Sequence, residues 1–334
     1  MAKLEYLNGY RPSGEWGLEL TRKGFYEALL ELGEENPKVV VLDADLSQST
    51  LTKFFAEKYP ARFFECGIAE ADMMNTAAGL SKMGYIPYIA SYAIFLAGRA
   101  WDQMRNTVDY SFCNVKIAAA HGGISVGKDG PTHQSTEDIA NTQVLVNMAV
   151  FLASDYWEAR KVTKGLADIV GPCYSRLGRE KVPTISSADT PWEYGKANLV
   201  LDGSDGTLIG NGLMLSRCIQ AAEKLAEEGV FPRVLSMPAV KPLDTDALMR
   251  AASDTGGIVV AEEASIYGGL GSTVARVIAE SESLVPFKGV AVRDMYLSSG
   301  DPWELMDLAG LGVSDIVAAL RDVLARRKRV HAVG

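Results

Sequence analysis

Two of the three histidines in this 334-residue sequence fall in one segment, HGGISVGKDGPTHQSTED, where they flank an aspartate. His121 directly follows the apolar run VKIAAA, and His133 closes a glycine-rich stretch around Asp129. A histidine at the carboxyl end of a buried strand lies where open α/β sheets place their ligands. Glycines in such a loop let the backbone bend closely around something polar. The plain alternative is a structural loop whose histidines cap neighbouring backbone groups. Two imidazoles flanking a carboxylate favour a chemical role over that alternative.

Glu70 sits in FFECGIAEADM, at a strand-to-helix junction between apolar runs. A carboxylate there can simply complement the positive end of the helix. Partial burial would instead raise its pKa and make it a proton-sharing acid. The two effects oppose each other, and the sequence leaves both open. Tyr92 and Phe95, in ASYAIFLAGRAW, are spaced to place both rings beside one pocket, although aromatics in an apolar run usually serve the core. YGGLGS (267–272) lacks the G-x-G-x-x-G spacing and reads as a tight strand-to-helix turn. DGSDG (202–206) fits a loop before a strand, and neither GxxxxGK[ST] nor HExxH occurs.

The elements that must position these residues alternate between strand and helix patterns. TRKGFYEALLELGEE reads as a helix capped by Thr21 or a neighbour, and KVVVLDAD as a strand buried on both faces. The loop LSQST, the short strand RFFECG and the helix AEADMMNTAAGLSKMG follow. IPYIASY is the next strand, then a helix near FLAGRAWDQMRNTVDY, then the strand VKIAAAHGG. A second cycle follows VPTISSADTPWEYG. It comprises the strand TLIGNG, a helix around SRCIQAAEKLAEEG, the strand PRVLSMPAVKPLD, the strand GGIVVAEEA and the helix STVARVIAE. The expected fold is α/β, with two doubly wound domains at 18–185 and 195–330 and a boundary near Val182–Asn198.

Nearly half of the residues are apolar, enough for a sizeable core in each domain. A net charge of −9 with no basic stripe argues against tracking nucleic-acid phosphates. Cys66, Cys113, Cys173 and Cys218 lie far apart with no CxxC pair, which fits a reducing, cytoplasmic setting rather than a disulfide framework or zinc site. The N-terminus has no apolar core of a secretory signal, and the uncharged run Met83–Gly98 reads as strand plus turn, not a membrane span.

In order along the chain, ADLSQS, FFECGIAEADM, SYAIFLAGRA and HGGISVGKDGPTHQ resemble the second half of transketolases. Deoxyxylulose-phosphate synthases look similar in the Glu70 and Tyr92–Arg99 segments. DGTLIGNG, VLSMPAVKPLD, EEASIYGGLGS and SSGDPWELMDLAGL extend the likeness into the transketolase C-terminal domain. Single matches are weak; the ordered set is specific.

The resemblance implies a thiamine-diphosphate-binding pyrimidine-type domain followed by a transketolase C-terminal domain. By that resemblance Glu70 matches the glutamate that shares a proton with the cofactor's aminopyrimidine, favouring the imino form that activates the thiazolium carbon. Tyr92 and Phe95 match the aromatic side of the pyrimidine. Asp45, Leu46 and Ile68 match positions that line the cofactor or couple the two halves. His121 and His133 match histidines facing the reacting sugar, and Asp129 the reader of a donor-sugar hydroxyl. Arg22, Ser49 and Arg176 match an acceptor-phosphate site, with Arg179 of YSRLGR as an alternative to Arg176.

Two departures qualify the likeness. Gly24 interrupts the family's TRxAS pattern, and Lys128 stands where transketolases usually carry glutamate. More important, the Gly-Asp-Gly element that holds Mg2+ and the diphosphate is missing, so no metal ligand is expected here. The resemblance therefore implies a natural C-terminal subunit, which needs a partner N-terminal subunit, in a two-plus-two assembly, for ketol transfer between sugar phosphates. Alternatives are a relative acting on a branched or sulfonated sugar, a β subunit of a 2-oxoacid dehydrogenase, and a non-catalytic regulatory subunit.

Overall fold

The computed structural model describes residues 4–333, with side chains described through Arg327. The strand expected from KVVVLDAD spans Val39–Asp43 and is buried along its whole length. A run of β-branched residues without polar alternation suits a central strand covered on both faces. It pairs in parallel with Phe63–Glu65 on one side and Ile86–Tyr92 on the other. The sheet continues through Lys116–Ala120, Cys173–Arg176 and Ala149–Leu152, all parallel.

The seventh and outermost strand of this sheet is Ala239–Lys241, antiparallel to Ala149–Leu152. It arises from the segment read above as the single strand PRVLSMPAVKPLD. That segment divides in two: Arg233–Ser236 joins a second sheet, and the chain then crosses to complete the first. The second sheet orders its strands Phe287–Val292, Ile258–Ser265, Thr207–Gly210, Arg233–Ser236 and Asn198–Leu201. Its first four strands are parallel and Asn198–Leu201 is antiparallel. The fold class is α/β with predominantly parallel sheets. A single apolar cluster runs from Leu42 and Ile117 through Val150 to Ile209 and Val260, so both sheets share packing.

Two expectations change in detail. The first helix does run Thr21–Glu35, but Leu20 occupies its cap position and no side chain caps it. The Thr21 hydroxyl instead accepts the Gly178 N–H at 3.0 Å, which ties the helix start to the loop after Cys173–Arg176. The segment near FLAGRAWDQMRNTVDY is not a regular helix. Two π-helical turns, Phe95–Arg99 and Met104–Asp109, flank Trp101–Gln103. Such wide turns recur at functional positions, because the extra residue swings side chains off the regular helical stripe.

Gly24 is explained by packing. The helix Thr21–Glu35 lies against the helix Tyr156–Ala167, and a Cβ at Gly24 would sit 2.2 Å from the Tyr156 carbonyl oxygen. Its hydrogen faces a neighbouring backbone, so it bears on helix spacing. Elsewhere in a helix, Gly→Ala stabilises by roughly 0.5–1 kcal/mol. Here Gly24→Ala is expected to lower the melting temperature, with a cost of about 1–3 kcal/mol from overpacking. Thermal unfolding by circular dichroism checks this, and an unchanged or raised midpoint would contradict the packing account.

Candidate functional site

Tyr92 ends one parallel strand, and its register partner Ala120 ends the next. The residue after Ala120 is His121, so the register alone brings the two rings to the same sheet edge. They stack with centroids 4.0 Å apart and planes at 21°. Phe95, at the start of the first π-helical turn, lies 5.7 Å from Tyr92, its plane at 13° to it. His133 meets both edge-on, at 5.5 Å from Phe95 and 6.1 Å from Tyr92. Two elements distant in sequence thus build one four-ring wall.

Glu70 is the first residue of the helix Glu70–Lys82 and is only 1 % exposed. Arg99, on the π-helical turn, donates to its Oε2 at 3.0 Å and lies 4.7 Å above the Phe95 ring. This ion pair links the carboxylate to the aromatic wall. Arg99 itself is about half exposed. A buried carboxylate needs such compensation, since desolvation costs several kcal/mol per ion. The open helix N-terminus supplies a second contribution of the same sign.

His121 is buried in left-handed backbone, at φ 58°. A non-glycine residue in that conformation is held there by its surroundings and tends to mark a functional site. Burial, reinforced by Arg22, Arg179 and His133, pushes its pKa down to about 2. The ring is therefore neutral across the working range, a hydrogen-bonding group without charge. Its Nδ1 is buried with no protein partner. An orphaned polar atom in a site calls for a ligand or an ordered water.

The carboxyl ends of the remaining strands place the other expected residues. Asp45, also left-handed at φ 60°, follows Val39–Asp43 and is exposed. Its N–H donates to Glu65 Oε1 at 2.7 Å, which also accepts the Gly67 N–H at 3.0 Å. Leu46 donates its N–H to the buried Asp43, whose other oxygen accepts the Thr50 and Thr52 hydroxyls. Ile68, two residues before Glu70, is 74 % exposed. Asp129 and Lys128 are exposed in the histidine loop, with Arg179 Nη2 3.5 Å from Asp129.

The expected phosphate group is only partly assembled. Arg22 and Ser49 do meet, but through the Ser49 carbonyl, to which Arg22 Nη1 donates. Arg22 also donates to the carbonyls of Gly178 and Arg179, at 3.1 and 2.6 Å, so most of its fork holds backbone. Arg176 is placed elsewhere. Its guanidinium is buried against the carbonyls of Glu263 and Ser135 and the Asp138 carboxylate. Arg179 is the more exposed guanidinium of that segment and the one facing Asp129.

Arg99, Glu65, Asp43 and Glu263 support the site without having been picked out in the sequence. Their signal is burial or pairing across long sequence separations, which a linear pattern does not carry. Gly123–Gly127 also matches the G-x-S-x-G spacing of a nucleophile elbow. It lies in a 3-10 stretch with the Ser125 N–H given to Glu263, not on a strand-to-helix elbow. The turn YGGLGS, by contrast, does run from strand into the helix Leu270–Glu280, and Glu262 accepts the N–H groups of Leu270 and Gly271.

An open parallel sheet with its ligand-facing groups at the carboxyl edge, joined to a second α/β unit, defines a two-unit α/β protein, and comparison with known proteins specifies it further. The family description "transketolase, pyrimidine binding domain" matches residues 20–184, and "transketolase, C-terminal domain" matches residues 195–316. A 6-deoxy-6-sulfo-D-fructose transketolase subunit of Clostridium sp. is 36 % identical over 92 % of this chain and 95 % of its own. One of the subunits of an apulose-4-phosphate transketolase, from Phocaeicola vulgatus, is 37 % identical over 87 % and 93 %. A solved split-gene transketolase, described as an inactive β4 tetramer, superimposes with a TM-score of 0.85 at 44 % identity, covering 92 % of this chain and 99 % of that one. The chain belongs to the transketolase family.

The depressed His121 pKa has a thermodynamic consequence. Below about pH 6.5 the unfolded chain protonates this ring while the folded chain does not, so the native state loses stability as pH falls. His121→Asn removes that term. Relative to the parent, the variant should gain about 1.4 kcal/mol for each pH unit between pH 6 and pH 4. Urea unfolding of both chains across this range checks the sign; parallel pH profiles would contradict a buried neutral imidazole.

Proposed function

We propose that this chain is the pyrimidine-binding and C-terminal subunit of a split, thiamine-diphosphate-dependent transketolase, with domains at 18–185 and 195–330. The observation that carries the reading is Glu70, a carboxylate withdrawn from water beside an aromatic wall and two histidines. The fit to the cofactor's aminopyrimidine is chemical. Tyr92 and Phe95 offer flat apolar faces, Glu70 offers an oxygen for a ring nitrogen, and the orphaned Nδ1 of His121 lacks a partner. Among the described residues no cluster of three His, Cys, Asp or Glu side chains could hold a metal ion. The Mg2+ and diphosphate ligands are assigned to the partner subunit.

When bound, the cofactor supplies the carbanion chemistry that breaks the bond beside a ketose carbonyl. Glu70, withdrawn from water, offers its carboxylate oxygen to a proton shared with the pyrimidine nitrogen. Phe95 and Tyr92 fix the ring plane, while Asp45, Leu46 and Ile68 border the cofactor or the joint with the partner. His121 stays neutral and hydrogen-bonds to the substrate's developing alkoxide; His133, half-buried, moves protons at the loop's open side. Asp129 reads a sugar hydroxyl. Arg22 and Ser49 border the acceptor phosphate, and Arg179, rather than the buried Arg176, presents the more accessible guanidinium.

A second reading has specific support in the names of two relatives, which act on sulfofructose and apulose phosphate. Lys128, exposed beside Asp129, places a cation near the sugar end of the site. A donor panel including sulfonated and branched ketoses against the ordinary ketose phosphates decides between them.

The isolated chain is expected to show no thiamine-diphosphate-dependent turnover, and a partner bearing the Gly-Asp-Gly element should restore ketol transfer. In the reconstituted complex Glu70→Gln should lower kcat by about 10²–10⁴-fold, the range for lost proton transfer. Robust turnover by the chain alone would overturn the split-subunit reading, and an active Glu70→Gln complex would overturn the role of Glu70.

A further inference from the structure

The histidine loop belongs to the first sheet, yet its shape is held largely from the second. Glu263 lies near the end of the strand Ile258–Ser265 and is buried. Its carboxylate accepts the Ser125 N–H, and its carbonyl accepts Arg176 Nη1 at 2.8 Å. Arg176 in turn donates to the Ser135 carbonyl at 2.6 Å and stands 3.4 Å from the wholly buried Asp138. Tyr174 donates to that same Asp138 carboxylate at 2.7 Å. The Gly123 N–H donates to the Ser135 carbonyl at 2.8 Å, so the two stems of the loop are zipped where Arg176 and Glu263 converge.

The approach at this point is close. Gly123 adopts φ +84°, and a Cβ there would lie 2.4 Å from the Glu263 carboxyl carbon. Further along the loop, Gln134 donates to the Ser298 carbonyl at 3.1 Å and the Ser299 hydroxyl to the Lys128 carbonyl. The Ser265 N–H donates to the Thr136 carbonyl at 2.8 Å. A Cβ at Gly127 would press on Pro302, at 2.7 Å. Each of these contacts comes from beyond residue 260, and among them Glu263 makes the one nearest His121, packing against Gly123 and accepting from Ser125.

We propose that Glu263 is a positioning residue, through which the C-terminal half of the chain holds the His121–His133 loop in register with the aromatic wall. This assigns a task to a domain that contributes none of the groups placed at the reacting atoms. Without the carboxylate, the buried Ser125 N–H loses its partner and the Arg176 guanidinium loses a neighbouring negative charge, although its bond to the Glu263 carbonyl remains, and a buried group left unpaired is costly to retain. The loop then has reason to open at its base, carrying His121 away from Tyr92. Asp129 and both histidines travel with this loop, so the damage falls on kcat/KM for the sugar. The catalytic part of this inference rests on the transketolase reading; the loop-holding part stands without it.

The test uses the full chain, alone and with its partner. Hydrogen exchange of amides 122–136 in the lone Glu263→Ala chain should speed up about tenfold or more, as loss of a charged hydrogen bond implies. Amides of Val39–Asp43 should stay as protected as before. In the complex, kcat/KM for the sugar should fall about tenfold or more with a lower kcat, and Glu263→Gln, whose amide oxygen still accepts from Ser125, should recover most of it. Should Glu263→Ala fail to fold, Glu263→Asp, which keeps the charge but draws the oxygen back from Ser125, decides by the same readouts. Unchanged exchange across 122–136 in the folded variant overturns the proposal, whatever the activity. A kcat loss that Glu263→Gln does not relieve overturns the positioning role as well. If the parental complex transfers no ketol unit, the functional reading fails, while the exchange result still judges the loop.

Discussion

A carboxylate held out of water governs the layout of this molecule. Glu70 begins a helix at the edge of a parallel sheet, where the unpaired N–H groups of the first turn favour negative charge. Desolvation works against that charge, and the Arg99 guanidinium, 3.0 Å away, offsets it. Arg99 reaches Glu70 from a π-helical turn, which also carries Phe95 beneath the guanidinium. The irregular helix, the ion pair and the aromatic wall are consequences of one placement. A regular α-helix through Phe95–Arg99 would direct these two side chains differently.

The second constraint is the coupling of two sheets that a linear reading treats as separate. After Arg233–Ser236 the chain leaves the second sheet and completes the first through Ala239–Lys241, and the apolar cluster crosses between them. Arg176, Asp138 and Glu263 form a buried charged group at the same junction. Buried ion pairs add little net stability compared with apolar packing, but breaking one is expensive. Such a group fixes relative placement more than it strengthens the fold. Its location next to Gly123 and Ser125 means that the fixed feature is the loop bearing both histidines.

His121 shows how the same loop tunes chemistry. Left-handed backbone turns the ring back over Tyr92, and burial beside two guanidinium groups keeps it uncharged. A cationic imidazole would have to be desolvated near Arg22 and Arg179, which like-charge repulsion forbids. The ring is thereby confined to donating or accepting hydrogen bonds, and His133, only partly buried, occupies the wetter side of the wall.

How much of this was legible in the residues follows from the range of the interactions. Hydrophobic run length and period are local, so the strands at Val39–Asp43, Ile86–Tyr92 and Lys116–Ala120 and the helices from Thr21 and Glu70 were readable directly. Glu70, His121, His133, Tyr92 and Phe95 were visible as chemical candidates because motif order is also a property of the chain. Whether Glu70 would be buried or merely capping was undecidable there, since both outcomes share one sequence; the tertiary structure buried it and supplied Arg99. The division of PRVLSMPAVKPLD between two sheets, the diversion of Arg176 into an internal network and the service of Gly24 to helix packing were likewise settled only in three dimensions. Residue type and spacing determined which groups could react and which segments would be strand or helix. Partners separated by tens of residues or more decided which groups face a ligand and which hold the frame, because solvent access and pairing belong to the packed chain and not to any stretch of it.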